Sequence, residues 1–381
     1  MRVLMLNYEY PPIGGGAANA TACLLPQLAA FGVQVDLVTT APGCRAELLT
    51  PWPGVRIIRL PVPGVGLNYQ GNQALLGYAF AAAMRLPTLL KATHYDLAHA
   101  FFALPSGLLG YLARHQLPYL ISLRGSDVPG FSARFAGLHR ALRPLSRQIW
   151  HGASAVIANS DGLRNMALAS FPELPIEVIP NGVDTDEFTP PPTRHRDGPV
   201  RIICVSRLIP RKGIADLLQA VAELRRTNRC VELDVVGDGP LAHELYARAQ
   251  ALGIASSVRW HGHVEHHLLP PLYAAADIFA QPSLHEGMSN TALEALATGL
   301  PLVLSDTGGS AELVSDNGLI VPPQAVPQLT VALARLVDDP ALRAAMGRRS
   351  RTRALQKSWG AVAMSYAERY ESILAGSVCA V

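Results

Sequence analysis

Two carboxylates, Glu286 and Glu294, stand with seven residues between them in "QPSLHEGMSNTALEALATGLPLVLSDTGG". Pro282 and Gly287 bracket a polar loop that holds the first. Ser289 or Asn290 is a suitable N-cap, so "TALEALAT" reads as a helix stopped by Gly299 and Pro301, with Glu294 roughly one turn inside it. The amides of Met288, Ser289 and Asn290 then emerge at a helix start, where an anion is favoured. An anion beside two carboxylates makes chemical sense if amides and cations meet the anion while the carboxylates accept hydrogen bonds from hydroxyls. One glutamate would hold a sugar ring and the other a ribose. The plainer alternative makes Glu294 an acid favoured by the helix dipole alone.

Cations of the right kind occur upstream. "SRLIPRKG" follows an apolar run, so Arg207 and Lys212 sit at a strand-to-helix turn that Gly213 opens, an arrangement suited to a diphosphate. "PPIGGGAANAT" puts three glycines, Gly15 and Gly16 among them, between a strand and a helix, where backbone can approach a ligand. "VVGDGP" offers a tight turn through Gly237 and Gly239. None of these has the G-x-G-x-x-G spacing of a dinucleotide site, and the second strand ends in threonines with Asp36 inside it. An NAD-dependent dehydrogenase is excluded on that ground.

The elements that must position these residues follow from the pattern. The 381 residues suggest two domains. Short apolar runs alternate with amphipathic segments, as in βαβ units with parallel sheets. In the first half the runs are 2–8, 33–40, 55–61, 96–101, 118–124, 155–160 and 176–181; in the second, 200–207, 231–239, 257–262, 277–283, 301–306 and 319–323. "AANATACLLPQLAAFG" reads as a helix ending at Gly32, with Pro26 expected to kink it or delay its start. "PNGVDTDEFTPPPTRHRDGP" reads as a linker, with a hinge near 181–198. The expected fold class is α/β: two Rossmann-like doubly wound domains, 1–184 and 185–358, facing across a cleft. A last helix over 359–381 is expected to pack back on the first domain through Trp359, Tyr366 and Tyr370. Ligands of open α/β sheets bind beyond the carboxyl ends of the strands, and the residues singled out above all follow strands.

Composition excludes other classes. The chain is 49% hydrophobic and 16% charged, a globular profile, and its net charge of +3 is too small to imply nucleic acid. No apolar run is long enough to span a membrane, and the start lacks the long apolar region of a signal peptide, so a cytoplasmic location is expected. Cys23, Cys44, Cys204, Cys230 and Cys379 are scattered and read as buried free thiols. "HGHVEHH" at 261–267 lacks metal-ligand spacing, and no metal is expected. Residues 134–152 form a basic amphipathic stretch, a candidate for peripheral contact with the inner face of a membrane or else an ordinary surface helix.

"EGMSNTALE", "GGG" after the first strand, "PNGVDTDEF", "SRLIPRKG", "VGDGP" and "DTGGSAELV" together resemble the retaining glycosyltransferases of family 4, in order and over essentially the whole chain. The resemblance implies a GT-B architecture and a metal-independent nucleotide-sugar transferase site, without a cofactor, with a UDP-sugar as the default donor. It implies that Glu294 binds the ribose and Glu286 the donor sugar hydroxyls. Arg207 and Lys212 would hold the diphosphate, and the amides of Met288, Ser289 and Asn290 after Gly287 would touch sugar and phosphate. The strand-end region near 261–264, with His263 and Val264, would meet the nucleobase, Gly237 would lie at a tight turn near the ligand, and Gly15 and Gly16 against the donor phosphates and acceptor. The acceptor would be a saccharide or a lipid-linked saccharide, as in cell-surface polysaccharide or glycolipid biosynthesis. Two departures stand out: Ser289 replaces a usual glycine, and Arg124 stands where a histidine is common. Arg124 or Asp127 then becomes a candidate for contact with the reacting sugar or the acceptor, and His99 in "DLAHAFF" is another cleft candidate, for which a packed strand histidine is the alternative. A nucleotide-sugar epimerase or hydrolase on the same fold, or a nucleotide-sugar binding protein without turnover, are the competing readings.

Overall fold

Strands that are apolar on both faces must be covered on both faces, which is what helices between parallel strands achieve. The structure, a computed structural model, describes residues 1–66, 71–192 and 198–378, the side chains of residues 133, 311, 377 and 378 excepted. The chain divides into two units: Met1–Gly182 with the segment from Trp359 onward, and Val183–Ser358.

Among the described residues the first unit holds an eight-stranded sheet. Its strands are β1 (Arg2–Leu6), β2 (Gln34–Thr40), β3 (Glu47–Trp52), β4 (Val55–Leu60), β5 (Leu97–Phe101), β6 (Tyr119–Leu123), β7 (Ala155–Ala158) and β8 (Ile176–Val178). They lie in the order β3-β4-β2-β1-β5-β6-β7-β8. All pairs are parallel except β3 with β4, and Leu4 of β1 is in register with Asp36 on one side and Ala98 on the other. The sequence pattern does not show β3: "ELLTPW" contains a proline and exposes Leu48 and Leu49, as an edge strand tolerates. Among its described residues the second unit holds six parallel strands, β9 (Val200–Val205), β10 (Val231–Val236), β11 (Val258–Gly262), β12 (Ile278–Gln281), β13 (Leu302–Ser305) and β14 (Gly318–Val321). Their order is β11-β10-β9-β12-β13-β14.

Each sheet has a point where the winding reverses: β1 lies between β2 and β5, and β9 between β10 and β12. Loops leaving adjacent strands there splay to opposite faces and open a crevice at the carboxyl edge.

Several local expectations change. The first helix spans Gly16–Ala30 with Pro26 inside it, so its start is not delayed; Gly32 follows with a φ of 77°, as expected of a residue beyond a helix end. The stretch read as a linker is anchored at two points, although Asp184, Asp186, Glu187, Thr189 and Pro190 are exposed. Val183 and Phe188 are buried in the second unit, and Arg351 donates to the carbonyls of Phe188 (2.9 Å) and Thr185 (3.0 Å). Residues 193–197 of that stretch lie outside the described residues. Cys204 is buried and Cys23 half-buried, but Cys44 and Cys230 are exposed, against the expectation of buried thiols; Cys379 lies outside the described residues. The helix Trp359–Val378 lays Trp359, Tyr366 and Tyr370 into the core of the first unit.

Candidate active site

The winding reversal between β9 and β12 is bridged by one ion pair. After β9 the chain makes a turn of 3₁₀ helix, Pro210–Lys212, and then Gly213 adopts a left-handed φ of 66° before the helix Ile214–Arg226. A Cβ at Gly213 would lie 2.0 Å from the Pro282 carbonyl oxygen, so only glycine lets this turn press against the loop after β12. That contact brings the buried Nζ of Lys212 onto Oε1 of Glu286. Ser283 donates to the same carboxylate oxygen at 2.9 Å. Arg211 donates to the His285 carbonyl at 3.2 Å, and its own carbonyl accepts from the Leu284 amide at 2.7 Å.

Burial alone would raise the pKa of Glu286, but the charges of Lys212 and Arg211 and the bonds from Lys212 and Ser283 outweigh it and hold the carboxyl below its usual range. Burial draws Lys212 down, with Arg211 and Arg207 acting in the same sense against Glu286. Lys212 and Arg211 thus act on one carboxylate, and Arg207 acts on both of them, which gathers cations at the carboxyl edge of the sheet. An oligophosphate is the natural complement.

Glu294 is on the helix Asn290–Ala297, whose N-cap Ser289 accepts from the Ala292 amide at 3.2 Å. Its buried carboxylate accepts from the Tyr273 hydroxyl at 2.8 Å and meets His266 Nε2 at 3.0 Å. His266 is in turn 3.9 Å from a Glu187 carboxylate oxygen and stands edge-on to the Phe188 ring. Glu286 lies in the loop and Glu294 about one turn into the helix. The next loop supports the first: a Cβ at Gly308 would lie 2.2 Å from the Glu286 carbonyl oxygen, and the Gly309 amide donates to the Gly287 carbonyl at 2.8 Å. Met288 is buried.

Gly237 is constrained by packing as well as by any ligand, since a Cβ there would lie 2.0 Å from the Ser206 carbonyl oxygen. Arg207 is exposed beside it. His263 is exposed and Val264 half-buried just after β11. His261 pairs instead with Asp234 at 2.7 Å, and among the described residues no group of three or more His, Cys, Asp or Glu is placed to hold a metal ion.

In the first unit Gly15 caps the helix that Gly16 begins; a Cβ at Gly15 would meet nothing within 4 Å, so the backbone there is open. His99 is a different matter. It is 0% exposed, its Nδ1 is 2.7 Å from the Tyr370 hydroxyl and its Nε2 2.7 Å from Ser122 Oγ. Burial pushes its pKa well down, so it is a neutral core residue and not a group that meets substrate. Asp127 is also withdrawn: its carboxylate accepts from the amides of Ala103 (2.8 Å), Arg124 (2.9 Å) and Gly125 (3.0 Å), which fixes the loop after β6. Arg124 is half-buried over the Phe101 ring and donates to Asn181 Oδ1 at 2.8 Å and to the Tyr366 hydroxyl at 3.3 Å. His99 and Arg124 join the last helix to the first sheet, and Asp127 ties the loop after β6 to the residues after β5. His99→Ala is therefore expected to lower stability by ~2–4 kcal/mol through a cavity and unpaired hydroxyls, with nucleotide affinity unchanged. Chemical denaturation and calorimetric titration of the same variant check both halves.

The family model described as "Glycosyl transferases group 1" matches residues 185–353, and that described as "Glycosyltransferase Family 4" matches residues 14–187. A GDP-mannose-dependent alpha-(1-6)-phosphatidylinositol monomannoside mannosyltransferase of Mycolicibacterium smegmatis is 36% identical, over 91% of this chain and 91% of the relative. The chain belongs to glycosyltransferase family 4. A glycogen synthase of Mycobacterium tuberculosis is 29% identical over 97% of this chain and 94% of its own length. Among solved structures, sucrose-phosphate synthase from Thermosynechococcus elongatus superposes with a TM-score of 0.86 at 24% identity, covering 98% of this chain and 99% of its own. Anabaena HepE in complex with UDP gives 0.75 at 23%, covering 98% and 100%. The architecture is GT-B, and the enzyme is a hexosyltransferase-type glycosyltransferase.

Arg211, Ser283, Tyr273 and His266 of this glycosyltransferase were not singled out by motif spacing. Arg211 is visible in "SRLIPRKG" as a third cation; the other three are known only from the contacts the fold makes. The bond to Glu294 raises the pKa of His266 against the opposing effect of burial, with Glu187 and Asp184 adding to the rise. A group whose pKa is raised on folding stabilises most below its unfolded value, about 6.5, and loses that contribution as pH climbs through the folded value. The difference in melting temperature between the wild type and His266→Gln is accordingly expected to be largest at the acidic end and to shrink as pH rises above about 6.5. Thermal melts of both proteins across that range check it; a constant difference defeats it.

Proposed function

We propose that this glycosyltransferase takes a nucleoside diphosphate sugar and transfers the sugar, with retention at the anomeric carbon, to a saccharide or lipid-linked acceptor, as in cell-surface polysaccharide or glycolipid biosynthesis. The observation that carries the reading is the Lys212–Glu286 pair across the winding reversal, flanked by Arg207 and Arg211. The cations receive the diphosphate, aided by the amides of Met288, Ser289 and Asn290, and Glu286 accepts hydrogen bonds from the sugar hydroxyls. Glu294, oriented by Tyr273 and His266, accepts from the ribose. Gly237, His263 and Val264 border the base, and Gly15, Gly16 and Arg124 are assigned to the acceptor side.

The transition state for such a transfer is oxocarbenium-like, with negative charge growing on the leaving diphosphate. Fixed positive potential there lowers the barrier. In this reading the protein's own cations do that work, no cofactor takes part, and the leaving phosphate accepts the proton of the acceptor hydroxyl. UDP is the donor base we take first. A GDP-sugar is the second reading, favoured by the name of the 36%-identical relative.

Calorimetric titration with UDP, GDP and ADP, each with and without EDTA, tests the donor half. Tight, EDTA-insensitive binding of one of them names the base; binding of none defeats the reading. Product analysis with a sugar panel on that base then separates transfer from hydrolysis or epimerisation, and the anomeric configuration of the product decides retention.

A further inference from the structure

Charge is unevenly spread along this chain. Between residues 48 and 160 there are ten Lys and Arg and two acidic residues, Asp96 and Asp127, whereas the remainder carries 22 basic and 27 acidic residues. Asp96 accepts from the Arg2 amide at 2.6 Å and Asp127 is buried, while acids from outside the region pair with Arg56 (Asp36), Arg59 (Glu47, 2.9 Å) and Arg147 (Glu173, 2.9 Å); among the described residues Arg85, Lys91 and Arg140 make no ion pair. The helix Asn72–Ala92 lies in this region and has no acidic residue. One of its faces buries Ala74, Tyr78, Ala82, Leu86 and Leu89 in the first unit. The other presents Leu76 (71% exposed), Phe80 (71%) and Met84 (67%), spaced four apart and so aligned in one stripe. Lys91 continues that stripe two turns on, and Arg85 flanks it. At the helix start Arg134 donates to Asn72 Oδ1 at 3.2 Å.

Arg134 opens the basic stretch 134–152, and that stretch is not itself the inserting element. It is broken into two helices, Ala136–Ala141 and Arg143–His151. Ile149 and Trp150 are buried and Leu145 packs against the same core, Phe135 and Leu142 are half-buried and Leu138 is exposed; Arg147 pairs with Glu173 at 2.9 Å, and Arg134 and Arg140 supply charge.

We propose that the Leu76/Phe80/Met84 stripe docks the enzyme on an anionic lipid bilayer, the three side chains entering the boundary between headgroups and acyl chains while Arg85, Lys91, Arg134 and Arg140 meet lipid phosphates. The charge commits the occupant. Exposed Arg85 and Lys91 on the stripe's own helix, which has no acidic residue, and Arg134 at its start repel the same cations of a second copy, whereas an anionic bilayer complements them and also accepts the apolar residues. No helix among the described residues is long and apolar enough to cross a membrane, so the attachment is peripheral.

The test uses the full chain and sucrose-loaded vesicles of phosphatidylcholine, with and without phosphatidylglycerol, at low and high salt. The wild type is expected to sediment with the anionic vesicles at least ~10-fold better than with the neutral ones, and to be released by salt. Leu76→Asn/Phe80→Asn/Met84→Asn alters only exposed positions and keeps the charge; it is expected to lose ~10-fold or more of that partitioning. Phe80→Trp is expected to give a blue-shifted emission on anionic vesicles only. Nucleotide titration of the triple variant must match the wild type, so loss of vesicle binding and failure of the donor-site reading are distinguished. Equal partitioning of wild type and triple variant, or no preference for anionic vesicles, overturns the proposal. So does self-association of the wild type, without lipid, that the triple variant abolishes: the occupant is then a second copy.

Discussion

Arg207→Ala and Lys212→Ala are each expected to lower kcat by ~10²–10³-fold at saturating donor, the loss typical of removing one fixed donor to a developing anion. The two differ in what else they do. Arg207 is exposed, so its removal should change stability by no more than ~0.5 kcal/mol. Lys212 is the buried partner of a buried carboxylate, and its loss strands Glu286 without its counter-charge, a cost of about 3–5 kcal/mol. A slower Lys212→Ala enzyme could therefore reflect unfolding alone. Adding Glu286→Gln to Lys212→Ala removes the stranded charge and is expected to recover most of the stability with none of the turnover. Thermal melts beside saturation kinetics resolve the two effects. A double Arg207/Lys212 variant that turned over normally would defeat the assignment of these cations to the leaving diphosphate.

Glu294→Ala is expected to weaken nucleoside diphosphate binding by ~10–100-fold, the worth of hydrogen bonds to a charged acceptor. The variant also leaves the Tyr273 hydroxyl and His266 without the carboxylate that engages both. Tyr273→Phe separates these contributions: it keeps the charge and removes one orienting bond, and a smaller loss is expected. Titration in the presence of EDTA checks that the effect belongs to the carboxylate and not to an adventitious metal. Unchanged affinity in Glu294→Ala would mean that the carboxylate is a buried structural acid and that the ribose is held elsewhere.

The sequence shows most of the sheet because parallel strands covered on both faces are continuous apolar runs, and β1, β5 and β9 to β13 appear at their expected places. It does not show β3, whose leucines face solvent and whose proline argues against a strand. At the site, Glu286, Glu294, Arg207 and Lys212 are visible because the loops and helix starts that carry them have local signals in glycine, proline and serine. His266 and Tyr273 are not, since their role depends on which carboxylate the fold brings to them. His99 shows the opposite failure: a histidine near the end of a strand reads as reactive until a helix more than two hundred and fifty positions later covers it with Tyr366 and Tyr370. Solvent exposure of a helix face is equally a tertiary fact, and the stripe on Asn72–Ala92 cannot be told from a core stripe by spacing alone.

That late helix has a consequence for biosynthesis. A ribosome delivers the first sheet well before Trp359–Val378, and domains generally fold as units as they emerge. Until the last helix is made, the His99 and Ser122 side chains and the core beneath Trp359, Tyr366 and Tyr370 lack their cover. The amino-terminal half must wait, incompletely closed, while the whole second unit is synthesised. A chain cut before Trp359 would then keep the sequence of the second unit, Val183–Ser358, whole while the core of the first unit stays open to proteases.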